Sequence, residues 1–192
     1  MYSTCTVCQA GQQCPEQRGF TLLEALLVLL VLGVLLALAV PGMTDLQARY
    51  RLQAEAGAFR NSLVLARTEA LRRQQRVTLC ARASDAPRCD SQGVWQNGWW
   101  VFADDNDNAA LDAGEAVIET HAPLTSGVHV GAKATVKGYF SYGAEGRSET
   151  LNDAFIAGTW RFCRVDSPGG WQVVVNAMGK PRVEAYEAQV CP

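Results

Sequence analysis

The dominant pattern along the chain is a long apolar run near its N-terminus. Between Leu22 and Val40 there are 19 residues, of which only Glu24 and Gly33 are not plainly apolar. As a helix rising ~1.5 Å per residue, this run reaches about 28 Å, close to the hydrocarbon thickness of a bilayer. The pattern therefore predicts a membrane-spanning helix over residues 20–41, preceded by a polar leader at residues 1–19.

A second helical pattern follows the pair Pro41-Gly42. Proline lacks the amide donor and clashes with the preceding turn, so we expect a break or bend in the helix there. Over residues 42–76, apolar side chains recur at three- and four-residue steps with arginines on the other faces, which is typical of an amphipathic helix. The apolar stripe consists of Leu52, Ala56, Phe59, Leu63, Ala66, Ala70 and Val77. Because the stripe is narrow and rich in alanine, we expect a sheet of the same chain to pack closely on it.

From residue 77 the pattern changes to short strand-like runs separated by turn residues. Helical patterns are absent there, so residues 77–192 are predicted to form an antiparallel β head domain. The predicted fold class is α+β, with a long N-terminal helix packed on an antiparallel sheet. The strand-like runs are 77–81, 98–102, 116–119, 128–130, 135–140, 158–163 and 171–175.

Glu24 is unusual because it places a carboxylate two residues inside the apolar run. A charge at the centre of a membrane helix costs roughly 2.5–3.5 kcal/mol, so such a residue usually has a function or a partner. The surrounding sequence Gly19-Phe20-Thr21-Leu22-Leu23-Glu24 resembles the processing motif of type IV pilins and type II secretion pseudopilins. The resemblance implies that a prepilin peptidase cuts between Gly19 and Phe20 and methylates the new amino terminus.

The same resemblance implies how the chain assembles. Glu24, the fifth residue after cleavage, would pair with the terminal amine of Phe20 in a neighbouring subunit, and Pro41 stands where family members carry a helix-kinking proline. An amine and a carboxylate buried together in lipid satisfy each other, whereas either alone is expensive. The implied partners are other pilins or pseudopilins, the prepilin peptidase and the bacterial inner membrane. The head would lie in the periplasm and later in a pilus or pseudopilus fibre.

A secretory signal peptide is the main alternative for the apolar run. Ala37-Leu38-Ala39 supplies an A-x-A-like cleavage site after an apolar core. However, the run is longer than the usual h-region of about 7–15 residues, contains Glu24 and follows a nearly neutral flank with only Glu16 and Arg18 close by. We therefore favour the pilin-like interpretation.

Charge is distributed unevenly along the 192 residues, of which 173 would remain after cleavage at Gly19. Residues 44–76 hold seven arginines and three acidic side chains, a net charge of +4, whereas residues 77–192 hold nine basic and fourteen acidic side chains, a net charge of −5. Positive charge after a span ordinarily favours the cytoplasmic side. Arginines along a helix are also typical of a solvated or subunit-pairing face, and the cysteines outweigh the charge argument.

Four of the seven cysteines lie in the head and three in the leader. Four cysteines allow three pairings, of which Cys80 with Cys89 and Cys163 with Cys191 is the simplest, because it closes one short loop and pins the C-terminus. Disulfides indicate an oxidising compartment such as the periplasm. The leader cysteines, spaced Cys-x2-Cys-x5-Cys, lack the fourth ligand that structural zinc normally has, so we expect no metal there. They are Cys5, Cys8 and Cys14.

Three motifs in the head resemble the GspH/FimT subgroup of minor pilins. They are Trp95-x-x-Gly98-Trp99, the segment from Val101 to Asp107, and Gly179-Lys180-Pro181-Arg182 before a C-terminal cysteine. Some family members involved in natural transformation carry a basic Gly-Arg-x-Arg stretch near the last motif that contacts DNA, so the resemblance implies a DNA-receptor alternative. Two arguments oppose the DNA-receptor alternative. The head has a net negative charge, and the motif is equally well explained as a hairpin turn with solvated lysine and arginine side chains. The candidate DNA contacts are Lys180, Arg182, Arg161 and Arg164.

An acidic loop offers the oxygen ligands that calcium prefers. It runs from Asp104 to Asn108 and continues with Asp112 and Glu115. Compared with an EF-hand loop starting at Asp105, alanine occupies the fifth position and also the sixth, where glycine is required. Clusters of Asn and Asp are also good turn formers, so we favour a solvated turn.

Catalytic constellations are weak in this sequence. His121 and His129 are the two histidines, and neither has a nearby cysteine or histidine with which to complete a metal site. No serine lies in a nucleophile-elbow sequence. We interpret the five tryptophans as core residues and expect neither an enzyme nor a cofactor, with a membrane-anchored periplasmic enzyme as the least favoured alternative.

Overall fold

A computed structural model of the chain describes residues 19–165, 169–176, 178–187 and 191, without the side chains of residues 39–42, 44 and 45. The predicted leader and its three cysteines lie outside the described residues, apart from Gly19. The chain divides into two compact units, Met1–Asp45 and Leu46–Pro192, and each is described by itself.

The α-helix α1 covers Leu22–Arg73. Thr21 caps its start, because its Oγ1 accepts a hydrogen bond from the Glu24 amide at 3.2 Å and its carbonyl oxygen accepts one from the Ala25 amide at 3.1 Å. The helix ends at Arg73 and is followed by Gln74, whose φ of +55° is the left-handed conformation that terminates helices. This end lies three residues before the predicted one at residue 76.

The helix assignment continues across positions 41 and 42, so the helix is not interrupted at the expected break. A bend at Pro41 stays a prediction, because the side chains of residues 39–42 lie outside the described set. Within the part of the chain that the structure describes, no helix combines the length and the apolarity needed to cross a membrane.

In the described part of Leu46–Pro192, nine strands form two antiparallel sheets. The five-stranded sheet has the order β3-β2-β1-β5-β6, and the four-stranded sheet has the order β4-β7-β8-β9. The strands are β1 Val77–Ala81, β2 Trp99–Ala103, β3 Val117–His121, β4 His129–Ala132, β5 Tyr139–Tyr142, β6 Ser148–Glu149, β7 Gly158–Cys163, β8 Gly170–Val175 and β9 Pro181–Tyr186.

These elements confirm the predicted α+β fold class and correct it in detail. The predicted strand 135–140 begins only at Tyr139, because Ala134–Val136 forms a 3-10 helix. Another 3-10 helix, which the pattern did not indicate, covers Trp95–Asn97 just before β2. The sequence pattern missed β6 and β9. In β9 a proline occupies the first position, as edge strands tolerate, and charged residues alternate with apolar ones.

The predicted apolar stripe is buried in a core shared by both sheets. Its members up to Ala70 lie on α1, whereas Val77, which the pattern had placed on the helix, is the first residue of β1. Phe59 lies at the centre of this core. The centre of its ring is 4.9 Å from the ring centres of Trp99 and Trp160 and 5.4 Å from that of Trp95. Trp99 Nε1 donates a buried hydrogen bond of 2.9 Å to Ser62 Oγ, which joins β2 to the helix. The small alanines of the stripe allow this close approach of helix and sheet.

Both disulfides that the sequence analysis favoured are formed. Cys80 at the end of β1 pairs with Cys89, and Cys163 at the end of β7 pairs with Cys191, each with a Cα–Cα distance of 5.6 Å. The first closes a short loop beside the five-stranded sheet. The second ties the C-terminal segment to the four-stranded sheet.

Candidate functional site

The N-terminal segment presents a long apolar surface. Phe20 is 81% exposed, and every large apolar side chain from Leu22 to Leu38 is at least 46% exposed. Monomeric soluble proteins rarely expose contiguous apolar patches of more than a few hundred Å². This segment therefore exposes more apolar surface than monomeric soluble proteins usually do.

Glu24 lies in the first turn of α1, where the partial positive charge of a helix N-terminus favours a carboxylate. Thr21 and Glu24 have the Thr-x-x-Glu spacing of a capping box, and the structure shows the half in which the Thr21 hydroxyl accepts from the Glu24 amide. Sequence reasoning missed this motif, although its spacing could have revealed it. The side chain of Glu24 is exposed, and its pairing with a neighbouring amine stays a prediction.

The predicted cleavage bond between Gly19 and Phe20 lies just before the helix cap. Both residues are exposed and outside regular secondary structure. A Cβ atom added to Gly19 would have no neighbour within 4 Å. Among the described residues, the geometry leaves this peptide bond open to a protease.

Arginines in the C-terminal part of α1 bind partners in their own chain. Arg67 donates to the carbonyl oxygen of Gly146 at 2.8 Å. Arg72 and Arg73 both donate hydrogen bonds to the carboxylate of Glu69. These bonds lower the pKa of Glu69 to about 2, and the bond from Arg72 has the larger effect. This part of the predicted basic face is therefore used within the subunit.

Arg76 is buried, and its guanidinium contacts residues of several loops. Its side chain is 4% exposed and donates to Asp107 at 2.8 Å, to Asp153 at 3.1 Å and to the carbonyl oxygen of Thr150 at 3.0 Å, while Glu149 lies 3.5 Å away. Burial lowers the pKa of Arg76, but the Asp107 hydrogen bond and the nearby acidic groups outweigh it and raise the pKa above its ordinary value. Sequence analysis had counted Arg76 as one of seven helix arginines and gave no signal of this role.

Internal hydrogen bonds hold the acidic loop. The buried carboxylate of Asp104 accepts from the amides of Asn108 and Ala109, both at 3.0 Å, and from the Thr78 hydroxyl at 2.7 Å. Asp112 accepts from the side-chain amides of Asn106 and Asn108, which lower its pKa. Among the described residues, no group of three or more His, Cys, Asp or Glu side chains is arranged to hold a metal ion.

The four candidate DNA-binding side chains do not form one surface. Lys180 and Arg182 lie together at the turn between β8 and β9, where Arg182 pairs with Glu184 at 3.0 Å. Arg161 lies along β7, with its guanidinium 5.5 Å from the ring centre of Tyr186. Arg164 follows the far end of β7, and a six-residue strand spans roughly 17–20 Å.

Gly179 gives the Gly-Lys-Pro-Arg motif a structural role that sequence reasoning missed. Its φ is +70°, and an added Cβ would lie 2.9 Å from Cε1 of Tyr142. The buried Tyr142 hydroxyl donates to the Gly179 carbonyl oxygen at 3.0 Å, and burial raises the pKa of Tyr142, so the hydroxyl remains protonated. The motif therefore joins the β8–β9 turn to β5 in the other sheet.

The histidines have structural surroundings. The His121 ring stacks on Trp99 with ring centres 3.8 Å apart and planes at 7°. His129 lies on β4 opposite Cys163 of β7. The structure does not bring the two histidines together into a catalytic constellation.

An N-terminal helix with an exposed apolar half and an antiparallel two-sheet head defines the chain as a pilin-like protein. The chain belongs to the family described as Type II transport protein GspH, whose model matches residues 55–179. Residues 14–40 match the prokaryotic N-terminal methylation motif. These matches confirm the resemblance drawn from the sequence and support it over the DNA-receptor alternative. The family consists of pilin and pseudopilin structural subunits.

Among curated proteins, the chain is similar to pilin-like protein PilA1 of Thermus thermophilus, with 38% identity over 105 residues. That match covers 55% of this chain, which spans about 60% of the relative's length. Two solved structures share the fold. The type IV minor pilin FimU of Pseudomonas aeruginosa gives a TM-score of 0.55 at 18% identity, covering 77% of this chain and 99% of that one. The minor pseudopilin EpsH of the Vibrio cholerae type 2 secretion system gives a TM-score of 0.50 at 12% identity. That match covers 70% of this chain and 97% of the EpsH chain.

Proposed function

We propose that this protein is a minor pilin or pseudopilin that is assembled into a type IV pilus or a type II secretion pseudopilus after a prepilin peptidase removes residues 1–19. The observation that carries the proposal is the combination of two features in one chain. A methylation motif leads into a helix whose apolar surface is exposed, and a head of the GspH family follows.

Two environments in succession would cover the apolar helix. Before assembly, residues 20–41 hold the subunit in the inner membrane with the head in the periplasm. The two disulfides support this side of the membrane, because disulfides persist in oxidising compartments. During assembly, the same surface packs against the helices of neighbouring subunits in the fibre core, and the head is displayed to other minor subunits.

Glu24 and the amino terminus of Phe20 would form the assembly contact. Leaving a carboxylate unpaired in lipid is costly, whereas the amine of an adjacent subunit neutralises it. Selection of the correct neighbour follows, because the contact forms only when cleavage has created the amine. The cap uses the backbone amide of Glu24, which donates a hydrogen bond to Thr21 Oγ1, so the carboxylate can take this role without loss of the helix cap.

Mass spectrometry of the native chain tests the first step. The expected mature form begins at a methylated Phe20. A chain that begins at Met1, or one cut after Ala39, contradicts the proposal.

Glu24→Gln tests the assembly contact. It removes the charge and keeps both the length of the side chain and the backbone amide that Thr21 caps. We expect normal cleavage and a normally folded head, but loss of the subunit from sheared fibres. Glu145→Gln is the matched control, because that carboxylate is 79% exposed in the head. Equal incorporation of both variants would exclude the proposed role of Glu24.

A further inference from the structure

A small notch on the outer face of the four-stranded sheet has two cations in its lining. Trp160 and Phe162 point into the core, so Arg161 between them points to the opposite face of β7. Arg161 lines a notch of about 110 Å³ together with Lys133, which directly follows β4. A notch of this size admits a carboxylate group, since a single water needs only about 10–15 Å³. The rest of its lining consists of Gly131, Ala132 and Thr159.

The two cations of the notch are not neutralised by their own head. Among the described residues, neither Lys133 nor Arg161 forms an ion pair, and the ring of Tyr186, 5.5 Å from the Arg161 guanidinium, carries no charge. The carboxylate of Glu184 on the neighbouring part of the sheet is already bound by Arg182 at 3.0 Å. Residues 77–192 carry a net charge of −5, so a basic notch differs from the surface around it. An anionic group from outside the head fits the notch best.

The acidic loop of the same head supplies carboxylates of this kind. Asp105 and Asp112 are exposed on it. Asn106 and Asn108 donate hydrogen bonds to Asp112 and lower its pKa, so this carboxylate is charged at neutral pH. The buried carboxylate of Asp104 accepts a 2.7 Å hydrogen bond from a threonine hydroxyl of β1, which fixes the loop to the five-stranded sheet. Because the loop is already ordered by its own bonds, docking it costs little conformational entropy.

We propose that the notch binds the acidic loop of a second copy of this chain. The loop is fixed to the five-stranded sheet, and the notch faces away from the core on the other sheet, so the contact forms between copies. Asp105 and Asp112 of one copy enter the notch of the next. Its two cations, Lys133 and Arg161, neutralise them.

The contact joins two different surfaces, and repeated contacts of this kind build open helical assemblies if the rotation between copies does not close a ring. It presupposes the fibre assembly proposed above and names head surfaces that take part in it. A nucleic acid is a poorer occupant, because the net negative charge of the head repels an extended polyanion, whereas a single loop places its charges on the notch alone.

Zero-length cross-linking of the full chain in detergent tests the contact directly. A carbodiimide joins a lysine amine to a carboxylate when the two groups touch, and a mixture of isotope-labelled and unlabelled chains distinguishes links between copies from links within one. We expect peptides that join Lys133 of one copy to Asp105 or Asp112 of another. Lys180, an exposed lysine on the β8–β9 turn, is the internal control and should not link to the loop.

Charge reversal provides an independent measurement, read as energy transfer between fluorescently labelled full chains in detergent at low salt. The notch variant combines Lys133→Glu with Arg161→Glu, and the loop variant is Asp105→Lys. Each variant alone should lose the transfer that the wild type shows, because like charges then face each other. A mixture of the two should regain it, since the reversed loop meets the reversed notch, and this recovery also shows that both variants fold. Lys180→Glu should leave the transfer unchanged.

Three results would overturn the proposal. The first is the absence of links between copies in the wild type. The second is a mixture that does not regain transfer although both variants have the wild-type midpoint of urea unfolding. The third is binding of a DNA duplex at low salt that the notch variant removes, because a nucleic acid then fills the notch.

Incorporation into sheared fibres separates this contact from the proposed function. If the wild type enters fibres but forms no link between Lys133 and the loop, the head contact is wrong and the fibre assembly stands. If the link forms in detergent but the chain never enters fibres, the fibre assembly is wrong and the contact between heads stands.

Discussion

Replacing Arg76 by glutamine should loosen the part of the head where the end of the helix meets two loops. The change removes a cation that is 4% exposed, together with its hydrogen bonds to Asp107, Asp153 and the Thr150 carbonyl oxygen. Removing one partner of a fully buried ion pair costs ~3–5 kcal/mol. Here the carboxylates left behind are 62% and 82% exposed and return to water, so the Thr150 carbonyl and the emptied site dominate the loss. We expect a decrease of about 2 kcal/mol in the free energy of unfolding.

Thermal unfolding of the full chain in detergent, followed by tryptophan fluorescence, measures this loss. For a head of this size, about 2 kcal/mol corresponds to a fall in Tm of roughly 4–8 °C. Arg72→Gln is the matched control, because Arg72 is 63% exposed and solvent screens an exposed ion pair. Equal Tm values for the two variants would refute the reasoning.

The pH dependence gives this prediction a second signature. Burial raises the pKa of Glu149, and Arg76 opposes that rise, so Arg76→Gln should raise this pKa further. A carboxyl whose pKa is raised on folding is best tolerated at low pH, and its penalty grows as pH rises through the folded-state pKa. Protonation of Glu149 at acidic pH also removes its ion pair with Arg76 in the wild type. The stability difference between the two proteins should therefore shrink on acidification, and a difference that grows would contradict the assigned ion pairs.

Three further predictions concern other contacts in the head and helix. Tyr142→Phe leaves the Gly179 carbonyl oxygen without its buried donor and should cost about 1–3 kcal/mol in urea unfolding; an unchanged midpoint would contradict the contact. Gly179→Ala should destabilise more than Gly127→Ala, because both have positive φ but only the first meets a neighbour at 2.9 Å, and equal losses would remove the steric argument. Glu69 should titrate with a pKa of about 2 in a carboxyl NMR experiment, and any stability from its arginine contacts should be lost as pH falls through that value. An ordinary pKa would show that the hydrogen bonds from Arg72 and Arg73 do not form in solution.

Local periodicity accounts for what could be predicted of the fold. The three- and four-residue spacing of the helix stripe depends on helix geometry alone, so the buried face of α1 was predictable residue by residue. Strand-like runs such as those at Val77–Ala81 and Gly158–Cys163 carried enough β-branched and aromatic residues to be located correctly. The strand Pro181–Tyr186 did not, because an edge strand with one solvated face needs few apolar residues.

Some features of the candidate sites could likewise be predicted from the sequence, and others could not. The processing and assembly motif at Gly19–Glu24 is a contiguous sequence, so it could be recognised without a structure. The favoured cysteine pairing depended on one short loop, between Cys80 and Cys89, and on the position of Cys191 near the C-terminus. The roles of Arg76 and Gly179 could not be foreseen, because their partners lie 31 or more residues away in sequence. The basic residues near Lys180 were grouped by sequence as one surface, and the strand order separates Arg164 from the others.

The amino-acid sequence by itself determined the apolar N-terminal helix, its buried stripe and its membership of a pilin-like class, since each depends on residues within a few positions of one another. Only the tertiary structure decided which distant side chains meet, such as the buried arginine among acidic loops and the tyrosine that bonds to the hairpin glycine. The physical reason is that such contacts depend on strand order and register, and a shift of one residue would turn every side chain of a strand to the opposite face.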